Sequence, residues 1–225
     1  MTNEFICAPI HAPDGELIGV DLSLCAESEW QDERAAARGS YSQLSFTEKE
    51  GLLFRQLLVV EQHADFFLGN NLVCGINIDF HLARIITGSQ VIQQILSQLP
   101  FIRLKLSEKF PNLHDGPENP LIRSLIALQY RLWLDDLGAG FGNLHALQSR
   151  IFEAVKLDRR FYLKNVGKAF FPVIINKISQ YSERIIIEGV ESKQQLETLR
   201  ACHIWGVQGY YEPAMPLNCL TRGLG

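Results

Sequence analysis

Closely spaced cysteines are missing from this chain. Its five (Cys7, Cys25, Cys74, Cys202 and Cys219) are odd in number, scattered, and without a Cys-x-x-Cys motif. That pattern suits reduced thiols better than a disulfide framework or a thiolate zinc site. Positive charge is not in surplus either: 21 Lys and Arg face 25 Asp and Glu, for a net charge of −4. No basic cluster hides in that balance, so direct nucleic-acid binding has no electrostatic footprint. No apolar run approaches the roughly 20 residues that span a bilayer. The N-terminus carries Glu4 and no long apolar stretch, so no secretory leader is read and a cytoplasmic location is expected. The six histidines lack a ligand spacing such as H-E-x-x-H. Repeats, low-complexity tracts and interdomain linkers are also missing. With 47% apolar residues and ordinary Gly and Pro content, the disordered and fibrous classes drop out. The expectation is a single domain over residues 1–225 with one sizeable core.

The order of elements narrows the fold. Phe5–Ile10 and Leu17–Leu24 read as strands joined by an Ala-Pro-Asp-Gly turn, which predicts an antiparallel hairpin. The polar segment Ala26–Ser40 reads as a solvated helix or loop. Thr47 with Glu50 reads as a capping box ahead of a helix whose face carries Leu53, Leu57, Val60, Ala64 and Phe67. Leu72–Ile78 is a strand, Ser89 caps a helix that Pro100 ends, and Ile102, Leu104 and Leu106 alternate with Arg103 and Lys105 as in a strand. His114–Asn119 reads as loop and Pro120–Gln129 as a helix. Two further strands hold Leu132–Leu134 and Lys156. A helix over Lys168–Gln180 is kinked or started by Pro172. Ile185–Glu188 is a strand, Ser192 with Gln195 a second capping box, and Trp205–Tyr210 the last strand. About eight strands alternating with helices predict a modified TIM (β/α)8 barrel, with one antiparallel strand in the N-terminal hairpin.

Arg131–Phe161 carries the chemistry. An apolar run, Leu132-Trp133-Leu134, breaks into Asp135 and Asp136, then turns through Gly138 and Gly140. Paired acids at a strand mouth gather cations. Together with VKLD around Lys156, EGVESKQQLETL and VQGYYEPAMP, this string resembles the EAL family of cyclic di-GMP phosphodiesterases, across essentially the whole chain. The resemblance implies the reversed-strand barrel and a two-metal hydrolase using Mg²⁺ or Mn²⁺. It also implies roles: Asn77, Asp135 and Asp136, with Asp21, as metal ligands; Lys156 orienting the water; Glu188 as a further site carboxylate; Gln208 positioning water; Glu108 bracing the loop after Asp136.

Departures from that pattern shape the expected function. The Glu-Ala-Leu motif stands here as Asp21-Leu22-Ser23, one methylene short at the ligand. The family's second metal-binding Glu falls on Lys105 of RLKLSE. An ammonium about 4 Å from a carboxylate gains on the order of 4 kcal/mol at a protein-like dielectric, and the same interaction repels a metal. Lys105 therefore reads as an internal cation neutralising Asp135 or Asp136. Two substrate contacts are lost, a Gln at Ala8 and a phosphate-pairing Arg at Cys25, the latter worth about 1.5–3 kcal/mol. The resemblance then implies a degenerate EAL-like regulator without a cofactor. It would act through a protein partner, such as the flagellar master transcription regulator, to control motility or fimbriae. The alternatives are a metal-dependent phosphodiesterase converting cyclic di-GMP to linear pGpG, and a cyclic di-GMP receptor that does not hydrolyse it.

Overall fold

The computed structural model describes residues 3–26, 44–140 and 144–223. Strands β1 (Asn3–His11) and β2 (Leu17–Ala26) form the expected antiparallel hairpin, with Ala8 opposite Asp21. From β2 the sheet runs parallel through β3 (Val73–Asn77), β4 (Ile102–Ser107), β5 (Leu132–Leu137), β6 (Phe152–Leu157), β7 (Arg184–Glu188) and β8 (Gly206–Gln208). Strand β1 pairs antiparallel with both β2 and β8 and so closes the barrel. A two-residue strand, β9 (Met215–Pro216), adds to β1 at Ile6 and Cys7. The fold is a closed α/β barrel of eight strands with one reversed and one extra strand.

Helices follow the strands in chain order: α1 (Phe46–Gln62), α2 (Ala64–Gly69), α3 (Phe80–Gly88), α4 (Gln90–Ser97), α5 (Pro120–Ala127), α6 (Leu144–Gln148), α7 (Arg159–Asn165), α8 (Phe171–Ser179), α9 (Lys193–Arg200) and α10 (Leu217–Gly223). Most start at a side-chain cap that satisfies otherwise orphaned N–H groups. Asp79 accepts from Leu82, Ser89 from Ile92, Asn119 from Leu121, Asp158 from Phe161, and Ser192 from Gln195. Among the described residues no helix is long and apolar enough to cross a membrane.

Some local expectations need correcting. The capping box of α1 is Ser45 with Glu48, not Thr47 with Glu50: Glu48 Oε2 accepts from the Ser45 N–H at 2.8 Å. His114–Asn119 is not plain loop, because Leu113–Glu118 forms 3-10 turns bent at Gly116. The helix expected over Lys168–Gln180 begins only at Phe171, so that of the two roles expected for Pro172 it has the one at the helix start. Helices α3 and α7 were not anticipated, and β8 is shorter than Trp205–Tyr210. The box at Ser192 is half formed, since Gln195 reaches back to the Glu191 N–H. The polar segment Ala26–Ser40 lies, beyond Ala26, outside the described residues.

Strand alternation then builds the interior in layers. One face of each strand packs outward on the helices, as Leu104, Leu106, Leu132, Leu134, Val155, Ile185 and Ile187 do in the main core. The other face fills the barrel. Its lower layer is apolar: Ile10, Val73, Trp133, Ala154 and Ile186, with Ile18 and Trp205 against them. Below this, Glu153 accepts from Trp133 Nε1 and pairs with Arg103 and Arg184, while Arg184 lies over the Trp205 ring. Trp133 and Trp205 are packing residues of this floor. One pleat nearer the carboxyl ends, the same inward positions carry charge.

Candidate functional site

The inward residues of that charged layer are fixed by register. Asp21 on β2 faces Gly75 on β3, Asn77 pairs with Lys105 on β4, Ser107 with Asp135 on β5, and Glu188 on β7 with Gln208 on β8. The barrel closure thus draws together side chains from five strands, as expected at the carboxyl end of a TIM barrel. Lys105 Nζ lies 3.0 Å from Asp21 Oδ1 and 3.1 Å from Asp135 Oδ2. Lys156 Nζ lies 2.6 Å from Asp21 Oδ2, 3.9 Å from Asp135 Oδ1 and 3.1 Å from Glu188 Oε2. Asp21 and Asp135 therefore each turn one oxygen to each lysine, closing a ring of alternating charge with Glu188 on its rim. The Lys105–Asp21 contact is an ion pair without hydrogen-bond geometry, because Asp21 Oδ1 accepts no hydrogen bond.

Burial raises the stakes of this ring. Asp21 and Lys105 are each 3% exposed, and Asp135 and Lys156 each 7%. For Asp135, burial alone would push the carboxyl up; Lys105 and Lys156 outweigh it and hold the group at about 2. For Lys156, burial opposes the charge, but Asp21, Glu188 and Asp135 prevail and keep its ammonium well above the ordinary lysine value. Both groups are ionised at neutral pH.

The other expected residues are placed less centrally. Asn77 is exposed at the end of β3. Asp136 does not share Asp135's position: it adopts a left-handed φ of 58° and donates its backbone N–H to Asp135 Oδ1 at 3.0 Å. Lys105 pairs with Asp135, one of the two acids expected to face it, and also with Asp21, which was not expected there. Gln208 is buried and its Nε2 donates to the Ala8 carbonyl at 3.1 Å, at the position where the expected Gln is absent. Glu108 is buried just past β4. The Gly-x-Gly turn is required sterically: Gly138 has φ 96°, and a Cβ there would sit 2.5 Å from the Phe161 ring. The Cys25 side chain lies outside the described residues.

Gly75 is the residue that the sequence reading missed. A Cβ at this position would stand 2.5 Å from Asp21 Oδ1 and 3.0 Å from Lys105 Cδ. Lys105 reaches the ring only because its neighbour strand has no side chain there. A glycine inside a strand signals such a close approach, so the clue was in the sequence.

The donor set does not fit the divalent pair that this fold family's hydrolysis calls for. Mg²⁺ or Mn²⁺ takes oxygen ligands at about 2.0–2.2 Å and gains most from uncompensated carboxylates. Here both oxygens of Asp21 and both of Asp135 face ammonium groups. Three carboxylates against two lysines leave a net −1 over the ring and its rim. Among the described residues no group of three or more His, Cys, Asp or Glu is placed to hold a metal ion.

A reversed-strand α/β barrel with an acidic, lysine-bearing carboxyl mouth defines the class, and comparison with known proteins agrees. The EAL domain family model matches residues 52–213. The chain belongs to the EAL domain family. It is 27% identical over 219 residues, 95% of this chain and 91% of the relative, to YdiV of Escherichia coli K12, provisionally named an anti-FlhC(2)FlhD(4) factor. It is 23% identical over 223 residues, 96% of this chain and 85% of the relative, to the cyclic di-GMP phosphodiesterase PdeH of the same organism. Among solved structures, the EAL-like domain protein YdiV superposes with a TM-score of 0.84 at 25% identity, covering 98% of this chain and 95% of that one.

Proposed function

We propose that this chain is a degenerate EAL-like regulator that works by binding a protein, with the FlhC(2)FlhD(4) transcription regulator named for its YdiV relatives as the partner. The observation that carries the reading is the closed ion ring of Asp21, Asp135, Lys105 and Lys156 at the barrel mouth. Lysines occupy the charge that a two-metal hydrolysis needs free, while the barrel framework and its helix caps are intact. A folded scaffold with a self-neutralised mouth acts through its surface. The net charge of −4 disfavours direct contact with DNA, so an effect on transcription runs through the protein partner.

The test is co-purification of the tagged chain with separately expressed FlhC(2)FlhD(4), followed by a DNA-binding assay of that complex. Stable capture with loss of DNA binding supports the reading; no capture at micromolar concentration of both overturns it. A second reading, residual phosphodiesterase activity, rests on the retained Asp135, Lys156, Glu188 and Gln208 and on the PdeH relationship. In that reading Mg²⁺ or Mn²⁺ would be held by Asp21, Asn77, Asp135 and Asp136.

A further inference from the structure

Asp21, Asp135 and Glu188 bring three carboxylates to the mouth, and Lys105 stands among them where the family resemblance implies a fourth. We propose that Lys105 is a built-in counter-cation standing between two carboxylates, at the divalent-metal position that the family resemblance implies, and that its charge excludes metal from this barrel. The inference does not depend on which protein the chain binds.

Three observations converge on it. First, Lys105 Nζ sits between one oxygen of Asp21 and one of Asp135, at 3.0 and 3.1 Å, so two carboxylates from separate strands converge on one cation. Their other oxygens turn to Lys156, which completes the bridging arrangement that a pair of cations would receive. Second, Lys105 is 3% exposed, so water screens its ammonium poorly and a dication approaching the same oxygens would meet it within a few ångströms. Third, the space for the Lys105 stem is provided by Gly75, whose absent Cβ would lie 3.0 Å from Lys105 Cδ and 3.4 Å from Cε. The lysine is seated in the barrel, not folded back on the surface. With Lys105 neutral or acidic, Asp21, Asp135 and Glu188 exceed the single charge of Lys156, and the site becomes one that attracts a hard cation.

The experiment compares wild type, Lys105→Met and Lys105→Glu by thermal denaturation with and without millimolar Mn²⁺, and by the loss of free Mn²⁺ signal in electron paramagnetic resonance. Wild type is expected to show no bound Mn²⁺ and an unmoved Tm. Lys105→Glu is expected to bind Mn²⁺ and to gain roughly 5 °C or more. Lys105→Met is expected to bind more weakly. Wild type binding Mn²⁺ as well as the variants do would overturn the proposal, as would a folded Lys105→Glu that leaves the free Mn²⁺ signal unchanged. If Lys105→Glu folds only with Mn²⁺, the proposal stands. If it folds under neither condition, Lys105→Met decides, and its failure to bind Mn²⁺ overturns it. None of these outcomes bears on partner capture, which is read separately.

Discussion

Replacing Lys105 by Met keeps most of the side chain's apolar stem and removes its ammonium group. In the folded chain that charge faces Asp21 at 3.0 Å and Asp135 at 3.1 Å, almost fully out of water. At an effective dielectric of about 20, a contact of about 3 Å is worth about 5 kcal/mol of attraction. Burying the ammonium offsets several kcal/mol of that. The variant, however, leaves two buried carboxylates facing each other with Lys156 alone between them, and stripping one partner from a buried ion pair costs about 3–5 kcal/mol. For a domain of this length each kcal/mol moves Tm by about 2–4 °C, so a fall of about 10 °C is expected. Because one carboxylate of the variant can relieve the repulsion by taking up a proton, the deficit should shrink as pH falls from neutral toward about 5. Circular-dichroism melts of both proteins in metal-free buffer across that range provide the assay. An unchanged midpoint at neutral pH, or a deficit indifferent to pH, would refute the ring as a stabilising unit.

Three further outcomes are expected. Asp135 is held at about 2 against an ordinary 3.8, so its contribution, about 2 kcal/mol, is fully present above pH 4 and lost as pH falls toward 2; an acid titration in which Asp135→Asn and wild type lose stability in parallel would contradict this. Gly75→Ala forces a Cβ to within 2.5 Å of Asp21 Oδ1 and should destabilise the fold by about 1–3 kcal/mol, measured as a lower urea midpoint; a Gly75→Ala protein as stable as wild type would mean Lys105 can vacate the ring at no cost. Ser45→Ala removes the α1 capping box, with an expected loss of about 1 kcal/mol by the same measurement and no effect on partner capture.

Much of the barrel was legible because its strands are short apolar runs with clear turn signals between them. Leu104 and Leu106 fixed the parity of β4, and with it the inward direction of Lys105, before any coordinate was known. The Asp-Asp and Gly-x-Gly pattern likewise marked a strand mouth. What was not legible depended on register between distant strands. Asp21 meets Lys105 across β3 only because Gly75 stands aside, and nothing local to Asp21 announces that. Asp135 and Asp136 look like a pair in one dimension, but the left-handed φ at Asp136 separates their roles. Ser45 and Thr47 each precede a Glu by three residues, so spacing alone does not rank the two caps. Helix α3 opens at Asp79, two residues beyond β3, and its pattern was obscured by the adjoining strand.

The most direct test of a non-hydrolytic role is to incubate cyclic di-GMP with the purified chain in millimolar Mn²⁺ and follow linear pGpG by chromatography. The ion ring predicts no product above the protein-free blank. Mn²⁺-dependent formation of pGpG that disappears in Asp135→Asn would contradict it.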